Sequence, residues 1–145
     1  MTNFADILDE APTEVKAPPV LPAGTYVAVI QGRPEYGQSE KKGTPFIGFT
    51  FRIIQAEDDV DSDELSAMGG CENKTIKRKY WITEDSAFML DQFHQDCGID
   101  LKLPMSRRAR SEECVNANIG IVVKHRASDD GQKVFAEVVR TLAVE

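Results

Sequence analysis

The sequence has few cysteines, and their arrangement does not indicate disulfides. Cys71, Cys97 and Cys114 are odd in number and widely spaced within 145 residues. Small secreted domains that depend on disulfides instead carry even numbers of cysteines at short spacings. We therefore expect three reduced thiols and a protein of the cytosol.

Long apolar runs are also missing. Pro18, Pro19 and Pro22 interrupt the apolar stretch near the N-terminus, and no segment approaches the roughly 18 consecutive apolar residues of a transmembrane helix. The N-terminal residues do not have the pattern of a secretory signal either. The sequence therefore predicts a soluble protein with no membrane partner.

Recognisable catalytic motifs are absent. The chain contains no phosphate-cradling glycine-rich loop, no GxSxG and no HExxH. His94 and Cys97 have helical spacing, but a zinc site would need further ligands from a set without a close pair such as CxxC. Those further ligands are Cys71, Cys114 and His125. We interpret His94 as a helix-surface residue, and we expect no enzyme, no metal and no cofactor.

Negative charge predominates, but it is concentrated in two segments. The net charge of the chain is −7. Residues 1–22 carry four carboxylates and one lysine, and residues 56–72 carry seven carboxylates and no cation, so the rest has a net charge of +3. A mildly basic body is compatible with a nucleic-acid partner, because such binding depends on neutralising phosphates.

The acidic run Asp58–Glu64 has the carboxylate content of a calcium-binding loop. The glycine required at the sixth loop position and the bidentate glutamate required at the twelfth are both absent. We therefore interpret residues 56–73 as a solvated acidic insertion between two strands.

Alternating apolar residues, bounded by glycine, proline and polar turns, predict five strands. Gly32 and Pro34 are expected to end the first strand. Asp130 and Gly131 predict a hairpin turn between the last two strands. The five predicted strands cover residues 25–33, 45–55, 74–82, 119–126 and 134–144.

Two helices are predicted between the third and fourth strands. Thr83 is a suitable N-cap for the first helix, which runs to about Cys97, and a weaker helix covers residues 106–116. The apolar stripe of the first helix is expected to consist of Phe88, Met89, Phe93 and Cys97, with Leu90 flanking it.

Three strands, a helix and two further strands form the element order of an OB-fold. We expect a mainly β protein, a five-stranded OB-fold-like Greek-key barrel over residues 22–145, with a helix between strands 3 and 4. Residues 1–21 are expected to form a flexible arm. In OB-folds, strands 2 and 3 and the loops joining strands 1–2 and 4–5 usually bind oligonucleotides.

The stretch Lys74–Ile82, KTIKRKYWI, combines three consecutive cations with two large aromatic residues. Strand alternation places Lys77, Lys79 and Trp81 on one face. The other face then carries Ile76, Arg78, Tyr80 and Ile82. Cations beside a ring suit single-stranded nucleic acid, because cations follow phosphates while a ring stacks on any base. The alternative is an edge strand whose solvated lysines prevent edge-to-edge pairing.

The candidate nucleic-acid-binding residues are aromatic and cationic side chains on the expected binding elements. The stacking candidates are Trp81, Tyr80, Phe46 and Tyr36. The candidates for phosphate contacts are Lys41, Lys42, Lys77, Lys79, Arg52, Lys124 and Arg126. One face cannot carry all of them. We favour the face of Lys77, Lys79 and Trp81, and Tyr80 then points elsewhere.

The N-terminal arm contains a candidate docking motif. Phe4, Ile7 and Leu8 have helical spacing. The acidic residues around them are Asp6, Asp9 and Glu10. A segment of this kind is expected to contact a protein partner, and an inert leader is the alternative.

The chain resembles the small single-stranded-DNA-binding proteins of tailed bacteriophages over roughly residues 21–101. The shared pattern runs through PAGTYVAVIQGRPEYGQSEKKGTPFIGFTFRIIQAEDD, KTIKRKYWITEDSAFMLDQF and CGI. The resemblance implies an OB-fold and non-sequence-specific binding of single strands during replication or recombination in the host cytoplasm. Many such proteins recruit partners through an acidic, aromatic C-terminal tail. Here Phe4–Glu10 is expected to contact replication or recombination proteins instead.

Two other functions fit the sequence. A virion structural protein, such as a capsid-binding or decoration subunit that docks through its arm, fits the negative net charge. A protein-docking adaptor or inhibitor fits the acidic segments. A homo-oligomer is compatible with each of these functions.

Overall fold

The computed structural model describes residues 20–131 and 133–144. The predicted docking motif of Phe4, Ile7 and Leu8 and most of the predicted arm lie outside these residues, and Leu21, placed at the end of the arm, instead belongs to the core. Five strands form one antiparallel sheet in the order β3-β2-β1-β4-β5. The strands are β1 (Gly24–Gln38), β2 (Pro45–Ala56), β3 (Thr75–Trp81), β4 (Asn118–Ala127) and β5 (Val134–Leu142). The helices are α1 (Ser62–Ala67), α2 (Ala87–Asp96) and α3 (Arg107–Glu113). The prediction of a mainly β protein with five strands and a helix after the third is confirmed.

The two edges of the sheet, β3 and β5, approach each other. Each step across the sheet reverses the strand direction, so β3 and β5 run the same way. Residues 77–79 and Trp81 of one edge and residues 137–139 of the other line one groove between them. The ladders found within residues 20–131 and 133–144 do not join β3 to β5, so these two edges meet through side chains.

The core is built by the inward face of β2 and its neighbours. Alternation along β2 predicts that Ile47, Phe49, Phe51 and Ile53 point inward, and all four are buried. Tyr26, Ala28 and Ile30 of β1 add the adjacent row. The core assignment of β2 is confirmed.

Helix α2 covers one side of this core. Its buried residues are Leu90, Phe93 and His94, and Cys97 packs beside them. The expected stripe was right for Phe93 and Cys97 and wrong for Phe88 and Met89, which are 63% and 45% exposed. Positions 90, 93, 94 and 97 have the i, i+3, i+4, i+7 spacing of one helical face, and a histidine occupies one of them.

Two predicted boundaries were also wrong. The N-cap of α2 is Ser86, and Thr83 instead closes the turn before it by accepting from the Ser86 backbone N–H through its Oγ1, at 3.1 Å. Strand β1 continues past Gly32 and Pro34. A bulge interrupts its pairing with β2 between Gln31 and Glu35, and the pairing resumes after it. Gly32 adopts φ 75°, a left-handed conformation that glycine accepts without strain.

The acidic insertion is anchored to the sheet. Asp59 accepts hydrogen bonds from the Thr25 backbone N–H at 2.9 Å and from its hydroxyl at 2.8 Å. These bonds hold the pKa of Asp59 below its usual value. Val60 and Cys71 are buried, and Asp61 caps α1. The expectation of a solvated connection was therefore wrong for part of the segment.

No helix among the described residues is long and apolar enough to cross a membrane. Within residues 20–131 and 133–144, no three His, Cys, Asp or Glu side chains are arranged to hold a metal ion.

His94 is fully buried, so its interpretation as a surface residue was wrong. Its Nε2 lies 2.8 Å from the hydroxyl of Ser111, which itself donates to the carbonyl of Arg107. Nε2 therefore carries the proton, and Nδ1 has no hydrogen-bond partner among the described residues. Burial lowers the pKa of His94 to about 4, because a charged imidazole would lose its hydration there.

Acidification is expected to destabilise the fold through His94. Between pH 6.5 and about 4 the unfolded chain binds a proton at this residue and the folded chain does not, so stability is complete above this window and falls within it. The thermal midpoint, followed by circular dichroism, should drop by several degrees across the window. His94→Gln retains a donor for Ser111 but does not titrate, so its midpoint should lose most of this pH dependence. An unchanged slope in that variant would contradict the assignment.

Candidate nucleic-acid interface

The register between β2 and β3 places four of the predicted binding residues, Phe46, Lys77, Lys79 and Trp81, on the outer face. Trp81 pairs with Phe46, Lys79 with Gly48, and Lys77 with Thr50. Directly paired residues share a face of the sheet. Exposure along β3 alternates accordingly, because Lys77, Lys79 and Trp81 are exposed whereas Tyr80 is buried. The predicted alternation of this strand is confirmed.

Trp81, Phe46 and Lys79 form what we call the outer cluster. Trp81 is 39% exposed, and its ring meets the Phe46 ring at 5.1 Å between centroids and 61° between planes. The Nζ of Lys79 lies 4.6 Å from the Phe46 ring centroid. Phe46 is only 8% exposed, so it supports the indole rather than offering a free ring of its own.

Gly37 makes room for this cluster. It pairs with Phe46 across the β1–β2 ladder. A Cβ atom at position 37 would lie 2.6 Å from the Phe46 ring, well inside van der Waals contact. The absence of a side chain at this position therefore lets the ring lie against the sheet.

Two grooves meet at the outer cluster. The first, of about 580 Å³, is lined by residues 38–42 and by the whole outer cluster. The second, of about 610 Å³, lies between the two sheet edges and is lined by residues 77–79, Trp81 and residues 137–139. Lys79 and Trp81 line both grooves. An extended ligand that occupies both grooves therefore passes the indole of Trp81.

The β1–β2 loop brings two lysines to the first groove. The Ser39 N–H donates to the Thr44 carbonyl at 2.9 Å, and the Gly43 N–H donates to the Ser39 carbonyl at 3.0 Å. These bonds close a tight turn with Lys41 and Lys42 exposed at its tip. The structure thus places both predicted lysines at the rim of the groove that contains Trp81.

Charge in the two grooves is opposite in sign to the net charge of the chain. Their cations are Lys41, Lys42, Lys77, Arg78 and Lys79, and their carboxylates are Glu40 and Glu137. The acidic insertion instead joins the other end of β3. Trp81 lies six residues beyond Thr75, about 20 Å along a strand. The insertion therefore does not roof the outer cluster.

Two predicted stacking residues are not available on this face. Tyr80 is 3% exposed and packs in the core. Tyr36 pairs with Ile47 and so belongs to the inward face. Its hydroxyl donates to Glu112 at 2.7 Å, and the Arg108 guanidinium lies 4.7 Å from its ring centroid. Burial and the Glu112 carboxylate raise the pKa of Tyr36 to about 12.

The remaining predicted cations lie away from the indole. Arg52 is half-buried and donates to the Asn73 side chain at 3.1 Å, beside the acidic insertion. Lys124 and Arg126 are exposed on β4. Arg126 forms an ion pair with Glu137 at 3.3 Å, so its charge is partly neutralised where the second groove begins.

Sequence reasoning missed Phe135, an aromatic residue on β5 that is 44% exposed. It pairs with Arg126, whose guanidinium lies 5.8 Å from its ring centroid. The available signal was its position just after the Asp130-Gly131 turn, in the strand opposite a predicted phosphate-contacting arginine. It repeats the combination of cation and ring at a second place on the outer face.

In a comparison with protein families, residues 9–142 match the family described as "Protein of unknown function (DUF669)". The matched range includes the whole sheet and all three helices. No curated protein matches the chain.

Gly37→Ala is expected to loosen the outer cluster, because the added methyl group displaces the Phe46 ring from beneath Trp81. Trp81 is the only tryptophan, so its emission maximum should move to longer wavelength as the indole meets more water. Gly48→Ala is the matched control, since a Cβ there meets its nearest atoms at 3.6 Å, an ordinary contact. Equal spectra for the two variants would contradict the proposed role of Gly37.

Proposed function

Because the chain belongs to the DUF669 family, whose function is unknown, we propose its function from the outer face and from the resemblance to single-stranded-DNA-binding proteins of tailed bacteriophages. The protein binds single-stranded DNA without sequence specificity, during phage replication or recombination in the host cytoplasm. The observation that carries this proposal is the exposed indole of Trp81 at the junction of two grooves whose charged residues are mostly cations.

The proposed binding combines stacking with phosphate neutralisation. One face of the indole stacks on a base of any identity, which contributes about 1–3 kcal/mol. Lys79 and Lys77 contact the phosphates on one side of that base, and Lys41 and Lys42 contact those on the other. Phe135 with Arg126 and Lys124 extends the path along the β4–β5 hairpin.

The same geometry favours a single strand over a duplex. Each base of a duplex is stacked between its neighbours, so neither face is open to a protein ring. An exposed indole therefore gains stacking energy only from an unpaired base. No base-edge contact is needed, and the proposed binding is accordingly tolerant of sequence.

We infer further that the sheet is an OB-fold barrel whose last seam lies between β3 and β5. Support comes from the strand order and from the shared direction of the two edges. The position of α2 between β3 and β4 in the chain is a second support. In that fold the outer cluster lies on the β2–β3 surface that commonly binds oligonucleotides.

Trp81→Ala is expected to weaken single-strand affinity by about 1–3 kcal/mol, because it removes the stacking ring. Its thermal midpoint should change little, since the indole packs on the outer face. The measurement is fluorescence anisotropy of a labelled oligo-dT at fixed salt. Phe88→Ala removes another exposed aromatic residue, on α2, and should leave the affinity unchanged. Collapse of folding in Trp81→Ala would make the indole a structural residue.

The wild-type titration tests the proposal itself. Oligo-dT should quench the single tryptophan, and the affinity should fall as salt rises, by about 0.7 in log–log slope for each phosphate contact. Four lysines in the two grooves give a slope of about −3. A duplex of the same length should compete poorly, and an oligo-U tests preference for RNA.

If oligo-dT does not quench the Trp81 fluorescence at low salt, the proposal is contradicted. The second candidate function, a virion structural subunit, is then favoured. The net charge of −7 is the observation that supports it. Recovery of the protein from purified particles would be the positive sign of that role. Capture of a replication or recombination protein without DNA would instead indicate a docking adaptor.

A further inference from the structure

A third groove, of about 460 Å³, lies between α2 and the end of β5. Its apolar walls are incompletely covered, because Phe88, Met89 and Val139 are 63%, 45% and 37% exposed. Phe88 and Met89 belong to the first turn of α2, whose other face packs in the core. These three side chains form a small apolar patch in the wall of the groove.

The charge at this groove is positive. Arg78 and Arg140 line it together with one carboxylate, Asp96. Asp96 already accepts from the Thr141 hydroxyl at 2.5 Å and from the Gln92 side chain at 3.2 Å. Neither arginine forms an ion pair within residues 20–131 and 133–144. The groove therefore suits a ligand that is both apolar and acidic.

We propose that this groove binds the segment Phe4–Glu10 of the same chain. The segment carries three apolar residues at i, i+3 and i+4 spacing, which suits one apolar groove. The apolar residues are Phe4, Ile7 and Leu8, and the acidic residues beside them are Asp6, Asp9 and Glu10. Hydrophobic contact with Phe88 and Met89 and charge contact with Arg78 and Arg140 would act together.

The length of chain between the segment and the described residues sets how far the segment can reach. The segment ends at Glu10 and the described chain begins at Val20, which lies beside Met68 and His125. Ten residues span at most roughly 33–36 Å when extended. A domain of this size has a radius of gyration of about 14 Å and hence a diameter of about 35 Å.

Amide NMR spectra of the full chain test the proposal without reference to nucleic acid. Combined Phe4→Ser, Ile7→Ser and Leu8→Ser substitution should shift the amide signals of Phe88, Met89 and Val139. The signals of Gly48 and Lys79, on the outer face, should not move. Val15→Ser, an apolar substitution outside the segment, is the control and should shift none of these signals.

The reciprocal change is made in the groove. Arg140→Glu in the full chain should move the amide signals of residues 4–10 to their positions in a synthetic peptide of residues 1–12. Adding Asp9→Arg should restore part of the original pattern by reversing both charges. Unchanged signals at 88, 89 and 139 in the triple variant would overturn the proposal. Shifts that vanish on dilution, with a dimer mass in sedimentation, would overturn it by assigning the groove to the arm of a second copy.

Discussion

The packing of Tyr80 against Phe49 and Phe93 is the contact on which the outer face depends. The ring centroids of Tyr80 and Phe93 lie 5.1 Å apart, and those of Phe49 and Phe93 lie 4.4 Å apart. Because side chains alternate along a strand, fixing Tyr80 inside forces its neighbours Lys79 and Trp81 outside. A shift of register by one residue would bury the lysines and expose the tyrosine. The aromatic core therefore determines which groups of β3 meet solvent.

The distribution of charge follows from the same architecture. The acidic insertion is anchored to the start of β1 through Asp59 and Thr25, at the end of β3 remote from Trp81. The cations of β3 and of the β1–β2 loop gather at the other end. Screening over about 8 Å at physiological ionic strength largely separates two regions some 20 Å apart. A chain with a negative net charge thus presents a locally positive surface without conflict.

Most of the sheet could be predicted from the sequence, because alternation and turn residues are local signals. The inward row of β2 and the two faces of β3 follow from period-two patterns alone. Other features depend on residues that are distant in the chain. Buried His94 forms a hydrogen bond with Ser111, seventeen residues away, and the Tyr36 hydroxyl donates to Glu112, seventy-six residues away. No local pattern contains such partners. Likewise, Phe46 is covered by Trp81 and Lys79 of the neighbouring strand β3. The bulge in β1 near Gly32 depends on the pairing of β1 with β2.

The seam between β3 and β5 differs from the other four seams of the sheet, because no backbone ladder joins these two strands among the described residues. Across β1–β2, β1–β4, β2–β3 and β4–β5, a ladder of backbone hydrogen bonds fixes the spacing at about 4.8 Å. Between β3 and β5 the described side chains face each other across a groove instead. This seam can widen or narrow by rotamer changes of Lys77, Glu137 and their neighbours, while every ladder stays intact. Side-chain conformation therefore sets the spacing at this seam, whereas backbone hydrogen bonds set it elsewhere in the sheet. The indole of Trp81 lies beside this seam.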